Sequence, residues 1–347
     1  ILSVIMGVLY MNLGNLKQPE ELLPLMRPYF IIQLISLPFV CWFNTFRQFT
    51  DGITDTRVAM WILVSGNIMN IFGNWVLIYG HLGMEEMGLI GAGLSTMISR
   101  ILMALVMMGI FFFSKKYKEY RKGWHQGQTN RKDFRQITVL GFPLALQMGM
   151  ETAAFSLSSL MVGWFGTTAL AAHQVMLTIS QLGYMIYYGL AAAVAVRISN
   201  FMGQRDYTAV KRTATAGIHL VFFLAMLTSV PIFIFRHSMG ALFTDNTEVI
   251  SMVSMTIIPF MIYQFGDGMQ CNYANAMRGI AVVKPLIWIA FIAFFIVSLP
   301  LGYLFGVVMN FQLLGIWYAF PFGLTTAGIL YYVYYQKGLK RIEESAE

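Results

Sequence analysis

The chain has 347 residues, of which 57% are apolar and only 11% are charged. Because a soluble domain carries roughly 25% charged residues, this composition excludes an ordinary soluble protein and indicates a membrane protein. The formal net charge is +7, so a basic surface for nucleic acid has to be considered. The two cysteines, Cys41 and Cys271, lie in apolar stretches and have neither a paired framework nor metal-ligand spacing.

Apolar runs of about 20 residues, the length of a membrane-spanning helix, recur along the chain. A partial run covers residues 1–13, and nine complete runs follow. They cover residues 22–46, 58–79, 89–113, 137–165, 170–198, 213–235, 249–277, 281–309 and 313–335. Their length and their interior Gly and Pro favour helices over the short alternating strands of a barrel. The predicted fold class is therefore an all-α polytopic membrane protein.

Basic residues are concentrated in alternate loops between these runs. Of the 23 Lys and Arg, 19 lie in or beside one set of loops, only 3 lie in the intervening loops, and Arg100 lies inside a run. The positive-inside rule makes the basic side cytoplasmic. This predicts an integral protein of the plasma (inner) membrane with a cytoplasmic C-terminus. Since insertion alone requires such a distribution, a nucleic-acid partner is an unnecessary hypothesis.

A weak internal repeat emerges when the sequence is shifted by 227 residues. The shift places Trp61 on Trp288 and Gly88 on Gly315, with the loops in phase. It predicts two six-helix bundles, related as parallel repeats by a pseudo-twofold axis along the membrane normal. The predicted lobes cover residues 1–121 and 122–347. The first lobe is expected to lack about two and a half helices, because its copy of the repeat would begin before Ile1, so an N-terminal part of the parent protein is expected to be missing.

Two acidic residues, Glu151 and Asp267, lie alone within apolar runs. An ionised carboxylate in hydrocarbon is costly, so such residues usually face a polar cavity and bind ions or substrate. Glu151 has no basic residue near it in sequence, and a carboxyl group buried without a counter-ion binds a proton more readily than an exposed one. Tyr263 lies one turn before Asp267 on the same helical face, where its hydroxyl could reach a carboxylate or a cation. The alternative is that one carboxyl group merely joins neighbouring helices by a hydrogen bond.

Three other features carry polar groups into apolar runs. Asn70 and Asn74 lie on one helical face with Asn67, either as part of an ion site or as interhelical packing contacts. Arg100 is expected to extend toward the membrane interface or to pair with an acid. His173 has no other ligand at metal spacing and is interpreted as structural.

Several segments resemble the multidrug and toxic compound extrusion (MATE) family, especially its NorM-like branch. Residues 141–204, which include the block AAHQV, resemble the seventh and eighth helices of that family. Residues 49–80 resemble its fourth loop and fifth helix, and residues 263–279 (YQFGDGMQCNYANAMRG) resemble its tenth helix. The resemblance extends over the whole chain.

The resemblance implies specific sites. Glu151, Tyr263 and Asp267 match a C-lobe cation site, in which Na+ would be held by Glu151 and Asp267. Asn70 and Asn74 match positions beside an N-lobe ion site, as ligands or as partners of a first-helix aspartate. That aspartate, the first two helices and most of the third have no counterpart in this chain. The resemblance also implies a monomer that works without a cofactor.

Buried acids in a polytopic membrane protein are compatible with three functions from different classes. The first is a secondary active efflux antiporter that exports amphipathic or cationic drugs or metabolites in exchange for H+ or Na+. Pliable Met and flat aromatic side chains suit such ligands, and several lie near the acidic helix: Met148, Met150, Phe155, Tyr184, Tyr187 and Tyr188. No Gly-rich phosphate loop is present in the sequence, so nothing indicates an ATPase.

The alternatives rest on weaker signals. A lipid-linked oligosaccharide flippase of related two-lobe fold would need basic residues in its cavity to hold a diphosphate, and only Arg100 lies well inside a run. An intramembrane aspartyl protease would need two aspartates that share a proton, whereas the partner of Asp267 would be Glu151. The sequence therefore favours a transporter over an enzyme, with membrane lipid and small molecules as its partners.

Overall fold

The computed structural model describes residues 6–7, 10–11, 23–127 and 130–346 of the chain. Within these ranges the secondary structure is helical, without a strand. Ten helices organise them: α1 Leu23–Gly52, α2 Thr56–Tyr79, α3 Gly88–Phe113, α4 Lys118–Gln126, α5 Arg131–Gly163, α6 Thr167–Gly203, α7 Tyr207–Ile234, α8 Thr247–Gly279, α9 Lys284–Val308 and α10 Gln312–Glu344. A four-residue helix, Arg236–Met239, and two short 3-10 segments lie in the loops. The predicted all-α membrane fold is confirmed.

Each of the nine complete apolar runs corresponds to one long helix. Eight of the described helices are long and apolar enough to cross a membrane. The ninth, α5, has 33 residues but is not among them, and its central part contains Gln147 and Glu151. Most of the partial run at residues 1–13 lies outside the described residues.

Helix α9 differs from the uniform helix predicted over residues 281–309. It begins at Lys284, because Ala281 adopts a positive φ of 58° and Pro285 occupies the first turn, where its missing N–H costs nothing. Two π-helical segments, Phe291–Ser298 and Leu304–Val308, interrupt the α-helical hydrogen bonding. Such wide turns inside α-helices are rare and leave irregular backbone geometry.

The described residues divide into two compact units, Ile1–Gln128 and Thr129–Glu347. The lobe boundary predicted between residues 121 and 122 falls inside α4. The missing helices and the twofold relation between the lobes remain predictions.

In the first unit, α1, α2 and α3 pack through small residues. Gly91 at the start of α3 lies so close to the Leu77 carbonyl of α2 that a side-chain carbon at that position would overlap it. Gly66 of α2 makes room in the same way for the side chain of Met103. Close approach of this kind is the usual basis of helix association in membranes.

In the second unit, α8 and α10 are the most buried helices. Their contact contains a group of aromatic rings: Tyr263 and Phe260 of α8 lie 5.8 Å apart and stack, and Tyr263 also lies 5.8 Å from Trp317 of α10. Trp317 and Phe260 are completely buried. Because these rings fix the Tyr263 side chain, they also fix the position of the polar site one turn further along α8.

Candidate functional site

A cavity of about 320 Å³ lies in the second unit between α5, α6 and α8. Glu151 of α5 and Tyr263 and Asp267 of α8 all line it. Its remaining lining is mixed and consists of Met148, Thr152, Phe155, Leu177, Ser180, Gln181 and Tyr184. The structure thus brings the three residues proposed for the C-lobe site to one cavity, although Glu151 and Asp267 are 116 residues apart in sequence.

Glu151 lies on the inward stripe of α5. Gln147, Ala154 and Ser158 are buried, and Glu151 falls on the same face, because positions three and four residues apart align along a helix. Its Oε1 accepts a hydrogen bond of 3.2 Å from Nε2 of Gln270 on α8. The carboxylate is therefore held at the cavity wall by a neutral amide.

Asp267 is buried in the interior of the unit, with 2% of the residue exposed. Its Oδ2 accepts a hydrogen bond of 2.5 Å from the hydroxyl of Tyr187 on α6. The Cys271 thiol, 3.9 Å from Oδ1, is a weaker donor. A short bond to an ionised acceptor is roughly twice as strong as a neutral one, so the Tyr187 phenol stabilises this carboxylate more than the thiol does.

Tyr263 lines the same cavity and is 4% exposed. The sequence pattern predicts that its hydroxyl donates to a carboxylate or binds a cation. The structure agrees with this role, since the Tyr263 hydroxyl interacts with the Asp267 carboxyl group. Tyr187, which the sequence had indicated only as a nearby aromatic residue, donates a further bond of 2.5 Å to the same group. In the structure, Tyr187 continues the buried stripe of α6 formed by Ser180, Gly183 and Ala191, which the sequence alone does not reveal.

Gln270 and Arg278 of α8 were also missed. In the sequence, Arg278 belongs to the basic loop residues that predict membrane orientation. In the structure it lies in the last turn of α8, where Nη2 donates a 3.1 Å hydrogen bond to Oε1 of Gln147 on α5. The sequence offered no sign of this contact, because it joins residues 131 positions apart.

In the first unit, the two asparagines have different surroundings. Asn70 Nδ2 lies 3.2 Å from Ser95 Oγ and 3.3 Å from Thr96 Oγ1, and Ser95 Oγ donates back to the Asn70 carbonyl at 3.0 Å. Asn70 thus joins α2 to α3. Asn74 Nδ2 donates to Asn70 Oδ1 at 3.4 Å, while the buried Oδ1 of Asn74 has no hydrogen-bond partner among the described residues.

Among the described residues, Arg100 has neutral partners and forms no ion pair with an acid. Its Nη1 donates to Oε1 of Gln33 at 2.6 Å and to Oγ of Ser36 at 2.8 Å, both on α1. The guanidinium therefore connects α3 to α1 through neutral acceptors, which sequence reasoning did not anticipate.

His173 is completely buried and has a partner on each ring nitrogen. The indole N–H of Trp317 donates to Nδ1 at 3.1 Å, so the proton of the neutral ring is on Nε2. Nε2 lies 3.0 Å from Ser159 Oγ, whose own proton goes to the Phe155 carbonyl. Both nitrogens are thus used in packing α6 against α5 and α10. Among the described residues, no cluster of three or more His, Cys, Asp or Glu could hold a metal ion.

Comparison with known proteins agrees with this architecture. The MatE family model matches residues 1–76 and 143–304. The probable multidrug resistance protein NorM of Photorhabdus laumondii subsp. laumondii is 30% identical over 318 residues, which cover 90% of this chain and 70% of that protein. The multidrug resistance protein NorM of Aliivibrio fischeri is 33% identical over 303 residues, 86% of this chain and 65% of that protein.

Solved structures share the fold. An outward-facing multidrug resistance MATE family transporter of the MOP superfamily has a TM-score of 0.85 at 19% identity, over 99% of this chain and 77% of that one. The Vibrio cholerae MATE transporter VcmN in its bent form has a TM-score of 0.84 at 16% identity, over 98% and 76%. At such identities the likeness concerns the fold alone. Because the family model matches well over half of the sequence, the chain belongs to the MatE family.

Proposed function

We propose that this chain carries the cation-binding lobe of a secondary active multidrug efflux antiporter, which exports amphipathic or cationic compounds in exchange for H+ or Na+. The observation that carries the proposal is the cavity with two carboxylates, Glu151 and Asp267, on its wall. Acidic groups at membrane depth are costly and are retained where they serve ion or substrate pathways. The names of the NorM relatives support the class of substrate.

The cavity lining suits such a cargo. Met148, Phe155 and Tyr184 contribute a thioether and two aromatic rings, which accommodate varied apolar ligands and attract cations. Glu151 adds negative charge at the wall of the same space. A small organic cation can thus be held by shape-tolerant packing and one electrostatic contact, without the exact fit that a single substrate would need.

Exchange follows from competition for the carboxylates. When the cavity faces outward, H+ or Na+ binds at Glu151 and Asp267 and cancels their charge, so a cationic compound loses its attraction and leaves. After the cavity turns inward, the carboxylates release the ion and bind the next compound. Parallel lobes that rock against each other provide this alternating access. In this proposal the protein is a monomer of the plasma (inner) membrane, with its C-terminus in the cytoplasm and no cofactor.

The first unit contributes a second polar site in this proposal. Asn74 supplies its unpartnered Oδ1 as an ion ligand, while Asn70 holds the face in place. The oligosaccharide flippase has less support, because the charged residues that line the cavity are both acidic and would repel a diphosphate.

The test is dye efflux from vesicles that contain the purified protein. A proton gradient and a sodium gradient are imposed separately on wild type, Glu151→Gln, Asp267→Asn and the exposed control Glu86→Gln. We expect gradient-driven efflux in the wild type and the control, with loss of efflux in the two cavity variants, which remain folded. Normal efflux by well-folded Glu151→Gln protein would disprove the mechanism, and the gradient that drives the wild type identifies the coupling ion.

A further inference from the structure

Two contacts connect α5 and α8 beyond the cavity. Gln147 and Glu151 lie one turn apart on α5, and each meets a side chain of α8. Glu151 accepts from Gln270 at 3.2 Å, and Gln147 accepts from Arg278 at 3.1 Å. The two helices run in opposite directions along these contacts. The first contact lies at the cavity and the second lies nearer to the end of α8 at Gly279.

The guanidinium of Arg278 is held only by neutral groups. Besides Gln147, its Nη1 lies 3.5 Å from Oδ1 of Asn275. In the described part of the chain, no carboxylate lies within 4.0 Å of it. Gln147, which holds the guanidinium, lies one turn before Glu151 on α5, so this contact brings the positive charge toward that carboxylate. A partly buried cation without an ion pair is unfavourable unless a nearby negative charge compensates it.

The contacts of Arg278 do not satisfy all the buried hydrogen-bonding atoms near it. Its Nε is buried and has no hydrogen-bond partner among the described residues, and the same holds for Oε1 of the neighbouring Gln270. A purely structural bridge between helices would be expected to satisfy its buried polar atoms. An arginine that only marked the end of a helix could extend into solvent, but Arg278 instead turns toward α5.

We propose that Arg278 is a positioning residue that acts as a tethered counter-cation of Glu151 and competes there with the transported cation. The inference rests on the proposed function, because it assigns a regulator to the same site. When no cation is bound, Arg278 compensates the charge of the empty carboxylate. When a cation binds, the fixed positive charge opposes it and keeps its affinity low enough for release.

This role follows from the requirements of a transport cycle. An exchanger gains nothing from binding its ion ever more tightly, since the same ion must leave on the other side of the membrane. A fixed positive charge that compensates the Glu151 carboxylate weakens the binding of a second cation at that carboxylate. At an effective dielectric constant of about 20, a charge about 12 Å away changes the affinity about tenfold. Removing that charge should therefore tighten binding and slow turnover.

The experiment measures binding of tetraphenylphosphonium, a lipophilic cation, to the detergent-solubilised protein at one fixed pH. The variants are Arg278→Gln, Arg278→Lys, Glu151→Gln and the double variant Glu151→Gln/Arg278→Gln. Arg212→Gln, an exposed arginine of the same unit, is the matched control. A thermal unfolding scan of each protein establishes that it is folded.

We expect Arg278→Gln to bind the cation about tenfold more tightly and to transport it with a lower KM and a lower kcat. Arg278→Lys keeps the charge and should stay near wild type, as should Arg212→Gln. In the Glu151→Gln background, the effect of Arg278→Gln should disappear, because the carboxylate for which the charges compete is gone.

The outcomes distinguish a failure of the proposed function from a failure of the role of Arg278. If Glu151→Gln binds the cation as tightly as wild type, the proposed function fails. If Glu151→Gln weakens binding but folded Arg278→Gln shows unchanged or weaker affinity, only the role of Arg278 is overturned. A tightening that persists unchanged in the double variant would also overturn it, since Arg278 would then act independently of Glu151.

Discussion

The hydroxyl of Tyr187 donates a 2.5 Å hydrogen bond to Oδ2 of Asp267, across 80 residues of sequence. Both residues are buried, with exposed fractions of 1% and 2%. A carboxylate in such surroundings is unfavourable unless donors compensate for lost water. The phenol thus makes it possible for an acid on α8 to lie inside the unit and still reach the cavity.

The first prediction concerns this hydroxyl. Tyr187→Phe keeps the ring but leaves Asp267 without its short hydrogen bond, which should cost roughly 1–3 kcal/mol of stability. We expect a lower midpoint of thermal unfolding in detergent and a changed cation affinity. The matched control is Tyr263→Phe, which removes a hydroxyl from the same cavity and should give a smaller loss of stability and weaker, not abolished, coupling. Equal losses in the two variants would contradict the larger contribution expected of Tyr187.

The helices and the convergence of the two acids could be predicted from the sequence for physical reasons. A span needs about 20 apolar residues whatever its neighbours are, so each run is visible locally. An acidic residue within an apolar run is likewise visible in the run itself, which suggested that Glu151 and Asp267 face a cavity.

The partners of these acids could not be predicted in the same way. Helices that are apolar all round do not reveal which face is inward, so Tyr187 could not be told apart from Tyr184 or Tyr188. Arg278 looked like a loop residue because it lies in the last turn of α8. Its contact with Gln147 depends on how α5 and α8 are placed, which no local pattern records.

The second prediction concerns a polar contact outside the membrane-spanning helices. Oδ2 of Asp55, between α1 and α2, accepts a 2.5 Å hydrogen bond from the Tyr117 hydroxyl and lies 2.7 Å from Nζ of Lys116. Tyr117 is almost completely buried. Asp55→Asn should lower the stability by about 1 kcal/mol, as measured by thermal unfolding at pH 7, while the exposed Asp245→Asn should leave it unchanged.

The Asp55 contact should also depend on pH. Partial burial raises the pKa of the Asp55 carboxyl, but the hydrogen bonds of Lys116 and Tyr117 and the charges of Lys116 and Arg57 lower it below its ordinary value of 3.8. A folded-state pKa below the unfolded one gives stability that is complete above the unfolded pKa and is lost as pH falls through the folded one. The difference between wild type and Asp55→Asn should thus persist down to about pH 4 and then shrink. A constant difference at lower pH would show that the charge is not involved.

The third prediction concerns the packing of α10 on α9. A side-chain carbon at Gly315 would overlap the backbone of Phe305 and Gly306, which cannot yield as a flexible side chain would. Gly315→Ala should therefore destabilise the protein by about 1–3 kcal/mol. Gly189 of α6 is the control, because a carbon there meets nothing within 4 Å. Gly189→Ala should be neutral or stabilising by about 0.5–1 kcal/mol, and an equal loss in both variants would contradict the overlap.

The last prediction separates the two asparagines of α2. Asn70 uses its amide for Ser95 and Thr96 on α3, so Asn70→Ala should lose roughly 0.6 kcal/mol for each interhelical bond and lower the thermal unfolding midpoint. Asn74 gives up only one long bond, and its Oδ1 is unpartnered among the described residues. Asn74→Ala should therefore unfold close to wild type but show weaker cation-driven dye efflux from vesicles, because the proposed ion ligand is gone. If Asn74→Ala is destabilised as much as Asn70→Ala and transports normally, both side chains serve packing alone.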